Sequence, residues 1–289
     1  MIHKITVVLS PLAVLCIAMI LACLLTYGVL IGLGDVWSMK RLISKGTQLF
    51  LVLSIFPLTK YLKLSWSDIG YTAKPVFYRE ALKGFVVGLV VLLPIISLLF
   101  FLGIRVFDVE KPWIVFSIIK MLLLSALLPA LLISLIEEPI FRGLLLSSQY
   151  KYFSKFSAII ISAICYAGLH FLKADINIAY EDITLFSGFQ LIANALDNAV
   201  SLKNLSAFIA LFMVGVFLGG ARLYKGLGLG FCIGCHTAWV FLIKITKNIS
   251  SLDGNADNFY LVSSYDGVIG MLVSFWLLIV ISAFVVIRR

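Results

Sequence analysis

The sequence predicts an all-α, polytopic membrane protein of about eight transmembrane helices with a polar intramembrane site, and three observations carry that reading. The first is composition: 62% of the 289 residues are apolar and 13% charged, with a mean hydropathy of +1.11. Soluble domains carry roughly 45–50% apolar and about 25% charged residues. That excess cannot be enclosed in one globular core, which excludes a soluble enzyme. The second is the run from Ile5 to Leu33, which holds no charged residue. It is too long for the apolar core of a secretory leader and reads as a span with no cleavable leader. The third is the recurrence along the chain of apolar windows of about 20 residues, the length a helix needs to cross a bilayer.

Taken in order, the windows place helices at 5–33, 46–62, 84–104, 113–136 (continuing as a more polar helix to about 149), 156–173, 204–222, 226–247 and 267–287. The first is the uncharged run itself. The second follows Lys45 and is short. The third follows Lys83 and stops before Arg105, and the fourth runs up to Glu137. The fifth, short again, ends at Lys173; the sixth follows Lys203; the seventh follows Lys225; the eighth follows Asp266. Ser65 to Tyr71, with Lys74, Arg79 and Lys83 beyond, reads as an interfacial stretch with aromatics and cations at headgroup depth. Residues 174–203 read as a polar, acidic loop. The net charge of +9 reports which loops face the cytoplasm rather than a nucleic-acid partner. With eight spans both termini share a side, and the loops on that side hold the larger share of Lys and Arg, so both termini are expected in the cytoplasm. The whole chain, 1–289, reads as one membrane domain.

In so apolar a chain the informative residues are the ionisable ones within spans, each costing at least ~2.5–3.5 kcal/mol at mid-bilayer. They are Lys120, the cluster Glu137-Glu138-Pro139-Ile140-Phe141-Arg142, His170, His236 and Lys244. Glu138 and Arg142 are four apart and can pair on one helical face, while Glu137 points about 100° away. The pair neutralises one carboxylate and leaves the other free, and a free carboxylate in low dielectric suits a general base. The competing reading is a helix end at the interface with both glutamates hydrated. Tyr166 and His170 share a face, and His236 lies in mid-helix. A lone intramembrane histidine is often a packing residue, but two of them in different spans, with a spare carboxylate in a third, are better explained by one polar cavity.

These residues resemble the motifs of the CAAX-processing and bacteriocin-processing intramembrane proteases, the CPBP or ABI family. Glu137, Glu138 and Arg142, followed by Gly143, match its Glu-Glu-x-x-x-Arg motif. His170 matches Phe-x-x-x-His with Tyr166 in the place of Phe, and His236 matches the first position of His-x-x-x-Asn/Asp. The resemblance covers about 65–245, the expected protease core. It implies an intramembrane endopeptidase in which Glu137 activates a water, His170 assists, His236 helps to stabilise the oxyanion, and Glu138 and Arg142 brace the helix with Tyr166 in support. It also implies a membrane peptide or membrane-anchored protein as substrate, the lipid bilayer as partner, and a bacterial inner membrane as location. Val240 is the departure: where the family has Asn or Asp, valine neither binds metal nor donates a hydrogen bond. Thr237 and Lys244 are the candidates to complete the oxyanion or metal site.

No cofactor is demanded by these residues, although Glu137, His170 and His236 also make a zinc set of the His₂Glu kind, and both the metal-dependent and the metal-free mechanism stay open. Cys232-Ile233-Gly234-Cys235-His236 spells a c-type haem attachment signature, but it lies within an apolar span, where cysteines three apart read as packing residues. Gly215, Gly219, Gly220, Gly226, Gly228 and Gly230 suit close helix packing. Two rival functions remain on sequence grounds. One is a catalytically inactive relative serving as scaffold or immunity protein, which Val240 favours. The other is a proton-coupled transporter relaying protons through Glu137 and the histidines.

Overall fold

The computed structural model describes residues 2–35, 37–108 and 115–286. It is an all-α membrane fold with nine helices among the described residues: α1 (Ile2–Leu33), α2 (Met39–Tyr61), α3 (Lys74–Phe101), α4 (115–150), α5 (Lys155–Leu169), α6 (Ser187–Ala199), α7 (Leu205–Lys225), α8 (Leu229–Ile249) and α9 (Met271–Val286). Six apolar stretches among these residues are long enough to cross a membrane: Val8–Leu33, Met39–Tyr61, Lys74–Phe101, Ser117–Tyr150, Leu202–Lys225 and Leu229–Ile249. The predicted fifth and eighth spans are present as shorter helices, α5 of 15 residues and α9 of 16. Residues 113, 114 and 287, at the ends of the predicted fourth and eighth spans, lie outside the described residues.

Several boundaries differ from those read in the sequence, and three of them have a visible local cause. Helix α2 begins at Met39 rather than 46, and α3 at Lys74 rather than 84, because their first turns are polar and escape a hydropathy window. In α3 Pro75 occupies the first turn, and Glu80 accepts the Gly228 N–H (2.8 Å) and the Thr72 hydroxyl (3.2 Å), so this polar turn anchors the start of α8. Helix α5 stops at Leu169, where the His170 and Phe171 N–H groups turn back to the Ala167 and Gly168 carbonyls. The segment 174–203 is not a plain loop, since α6 lies within it. Its polar residues, which suggested a loop, tie down the neighbouring chain instead: Asn194 accepts the Asp175 N–H (2.8 Å) and Asn198 donates to the Lys173 carbonyl (3.0 Å).

Two three-residue strands also escaped the sequence reading. β1 (Arg105–Phe107) pairs antiparallel with β2 (Ser250–Leu252), Val106 facing Ser251. Arg105 is accordingly no solvated loop cation. It is buried and donates to the carbonyls of Asp266 (3.0 Å) and Gly267 (3.2 Å), holding the segment between β2 and α9 against the end of α3. Ser65 to Tyr71 forms the turn between α2 and α3. There the Ser65 hydroxyl and backbone N–H hold the Asp68 carboxyl below the usual carboxylate range.

Helix α8 is the centre of the bundle, and its closest partner is α3. The two meet through reciprocal Gly-x-x-x-Gly pairs, Gly84 and Gly88 on α3 against Gly230 and Gly234 on α8. A Cβ at Gly88 would lie 2.7 Å from the Cys235 carbonyl oxygen, one at Gly230 would lie 2.5 Å from that of Phe77, and one at Gly234 would collide with the Ala81 carbonyl. In lipid, where apolar surface gains little by leaving its solvent, association rests on such close backbone packing and on hydrogen bonds between helices. Cys232 and Cys235 belong to this packing: both are fully buried, and the Cys232 thiol points to the Leu218 carbonyl on α7. Gly234→Leu is expected to force α3 and α8 apart at a cost of about 1–3 kcal/mol or more, read as a lowered melting temperature in detergent. Gly220→Ala, where a Cβ meets nothing within 4 Å, is expected to melt as the wild type does.

Candidate active site

The site is built on three helices, and its local oddity is in α4. The run Pro139–Leu145 is π-helical, as is Met121–Leu127 earlier in the same helix. Pro139 has no N–H to give to the turn before it, which removes one rung of the α-helical ladder directly after the two glutamates. In this widened turn the Phe141 carbonyl accepts both the Leu146 N–H of its own helix and the Ser162 hydroxyl of α5, the latter at 3.1 Å. Sequence spacing therefore predicted the Glu138–Arg142 pair correctly, with the helix around it wider than an α-helix.

Glu138 is fully buried, and its Oε1 accepts from Arg142 Nη1 (3.1 Å) and from His236 Nδ1 (2.7 Å). The Arg142 guanidinium also lies 4.0 Å from the centre of the Tyr166 ring, a cation–π contact. One turn earlier on α4, Ser134 accepts the Thr237 hydroxyl at 3.1 Å. Helices α4 and α8 are thus joined by two polar links inside an apolar bundle.

Glu137 faces the other way. Its side chain is 21% exposed against 0% for Glu138, and it looks into a cavity of about 320 Å³ lined also by Tyr166, His170, His236, Val240 and Lys244. Glu137 Oε2 is buried with no hydrogen-bond partner. His170 Nε2 lies 3.7 Å from it and His236 Nε2 3.9 Å, too far for direct hydrogen bonds. The outer nitrogens of both rings are committed elsewhere. His170 Nδ1 is 2.8 Å from the Tyr166 carbonyl oxygen, and His236 Nδ1 is bonded to Glu138. A carbonyl, like a carboxylate paired with arginine, only accepts, so each Nδ1 carries the proton. In the neutral rings both Nε2 atoms, 3.7 and 3.9 Å from Glu137 Oε2, are then acceptors. Three acceptors converge on one small space.

The structure brings Glu137, Tyr166, His170, His236 and Lys244 to the cavity and keeps Glu138 and Arg142 behind it. It does not bring Thr237 there: that hydroxyl is spent on the Ile233 carbonyl (2.7 Å) and Ser134. Lys120 is exposed near the start of α4. Cys232 and Cys235 are not among the lining residues. The sequence reading missed Trp239, Lys173, Lys247, Tyr265 and Asp266, all of which line the same cavity. Lys173 stands 4.6 Å from the centre of the Tyr265 ring. Burial pushes the Asp266 carboxyl up, partly offset by the Val268 and Ile269 N–H groups that it accepts. The charged residue types were visible in the sequence, but no local spacing links 173 and 266 to 137.

Zinc would need three donors gathered around one ion. Among the described residues no group of three His, Cys, Asp or Glu side chains is placed to hold a metal.

The architecture and the buried carboxylate–histidine cluster define an integral membrane protein with an intramembrane polar site. Residues 119–242 match the model of the Rce1-like family, described as type II CAAX prenyl endopeptidase, in agreement with the CAAX-processing protease motifs that these residues resemble. The match contains Glu137, Glu138, Arg142, Tyr166, His170 and His236. The family is one of proteases, and the match supports a CAAX protease-type function in the membrane. No curated protein and no solved structure matches the chain.

Breaking the buried pair is expected to cost about 3–5 kcal/mol, because the remaining charge is stranded. Arg142→Met should therefore lower both the yield and the melting temperature of the purified protein. The swap Glu138→Arg with Arg142→Glu is expected to restore the pair but not the site, since it sets a guanidinium against His236 Nδ1. Recovery of wild-type stability by the swap would show that the His236 contact is dispensable.

Proposed function

We propose that the chain is an intramembrane endopeptidase that cleaves a membrane-associated peptide or protein with a water activated by Glu137 and His170. The observation that carries this reading is the buried, unpartnered Glu137 Oε2 with two histidine Nε2 atoms 3.7 and 3.9 Å away. A water between them donates one proton toward Glu137 and the other toward His170, which leaves its own lone pair for the scissile carbonyl. Its oxygen adds to the carbonyl carbon as Glu137 takes a proton, giving a tetrahedral oxyanion. When that collapses, the C–N bond breaks, the proton passes to the departing amine, and a new carboxyl terminus remains. Glu138 acts through His236, fixing its ring, and Arg142 acts through Glu138 and Tyr166.

The catalytic core is taken as about 65–245 of a single membrane domain, because α3, outside the matched residues, packs against α8 and contributes Val91 and Leu92 to the cavity wall. The lysine and arginine distribution supports cytoplasmic termini, and a bacterial inner membrane is the location proposed. A scaffold without turnover is the second reading, and Val240 in the cavity wall favours it.

Glu137→Gln is expected to abolish cleavage while the protein accumulates and melts as the wild type does. His170→Ala should reduce the rate by at least about 10²-fold, as for a general acid–base group. The assay is a set of quenched-fluorescent peptides anchored by a lipidated residue in liposomes containing the purified protein. Undiminished cleavage by Glu137→Gln would remove the proposed base. A wild type that cleaves none of the set favours the scaffold.

A further inference from the structure

We propose that the indole N–H of Trp239 is the hydrogen-bond donor to the substrate's carbonyl oxygen, supplying what Val240 cannot. The inference rests on the protease reading above. Attack on a peptide carbonyl makes an oxyanion, and stabilising it takes donors fixed in a dry site before the reaction begins. The groups nearest Glu137 Oε2 are acceptors, His170 Nε2 and His236 Nε2 in their neutral Nδ1–H forms, while the cavity's charged donors, Lys173, Lys244 and Lys247, sit on long, flexible side chains. Val240 brings only methyl groups to the cavity wall. The Thr237 hydroxyl is spent on Ile233 and Ser134. The indole of Trp276, which lines the same cavity, is spent on the Val91 carbonyl at 2.7 Å.

Trp239 differs from all of these. It lines the cavity, it is 6% exposed, and its Nε1 is buried with no hydrogen-bond partner. A buried N–H is seldom left unpaired, because the group then forfeits its bonds to water without replacement. Trp239 is three residues past His236 on α8, a rise of about 4.5 Å. Helical side chains lean toward the helix N-terminus, which for Trp239 is the direction of His236. Its ring is held 5.5 Å from that of Phe217 on α7, tilted by 54°, so the donor is fixed by packing and waits for an acceptor that arrives with the substrate.

The test compares Trp239→Phe, Lys244→Met and the double variant Trp239→Phe with Val240→Asn in the liposome peptide assay. Loss of one oxyanion donor reduces kcat by about 10²-fold or more, so Trp239→Phe, which keeps the ring, should lose that much kcat with KM nearly unchanged. Asn at position 240 should recover a substantial part of it, which a merely structural tryptophan would not allow. Trp239→Phe at near wild-type kcat beside an inactive Glu137→Gln would overturn the donor and leave the protease reading standing; so would a collapse confined to Lys244→Met. A second measurement is free of turnover. The chain has five tryptophans, and with ¹⁵N-labelled indoles a peptide aldehyde should move one N–H signal that is missing from Trp239→Phe. If the wild type cleaves nothing and that signal stays still, the proposal is overturned together with the protease reading.

Discussion

A carboxylate with no exposed surface is the constraint on which the rest of this site depends. Taking Glu138 out of water would cost several kcal/mol without compensation, and the compensation comes from Arg142 on its own helix and His236 on α8. Once these are satisfied, little is left free. Arg142 must lie over Tyr166, which brings in α5 and, four residues later, His170. His236 must turn its other nitrogen to the cavity. Glu137, next in sequence to Glu138 but about 100° round the helix, is then the carboxylate that looks into the space both histidines face.

That cluster holds its geometry only if α8 cannot slide, and the glycines of α3 and α8 see to that. Their backbones approach so closely that a single added carbon on Gly234 meets a carbonyl. The seam lies on one side of α8 and the Ser134–Thr237 and Glu138–His236 links on another. A helix clamped on two sides holds His236 and Trp239 at fixed places in the cavity wall. The Glu137 carboxylate, the two histidines and the buried Trp239 indole are thus held in place by the packing around them.

The part of this design that is local was legible in the sequence. Spacing of four residues predicts the Glu138–Arg142 pair and the shared face of Tyr166 and His170, and the same arithmetic sets Glu137 apart. Hydropathy predicts the membrane helices, though it places the starts of α2 and α3 late, because their first turns are polar. What was not legible depends on which side of a helix faces which neighbour. Thr237 and Trp239 flank His236 closely in sequence, yet the hydroxyl turns to α4 and the indole to the cavity. The Asn and Asp residues of 174–203 look like loop formers until α6 is seen to use them against the chain beside it. The π-helical turn after Glu138 has a sequence cause in Pro139, but proline there predicts a kink or a helix end equally well.

The central claim is that Glu138 fixes His236, and the Tyr166 carbonyl His170, so that both bare nitrogens face Glu137. It is tested most directly by nitrogen NMR of the protein labelled at its three histidines, assigned by single substitution of each. The neutral forms of His170 and His236 are both expected to be Nδ1–H tautomers, and Glu138→Gln is expected to shift the His236 Nδ1 signal while leaving that of His170 largely in place. An Nε2–H tautomer at either residue in the wild type would contradict it.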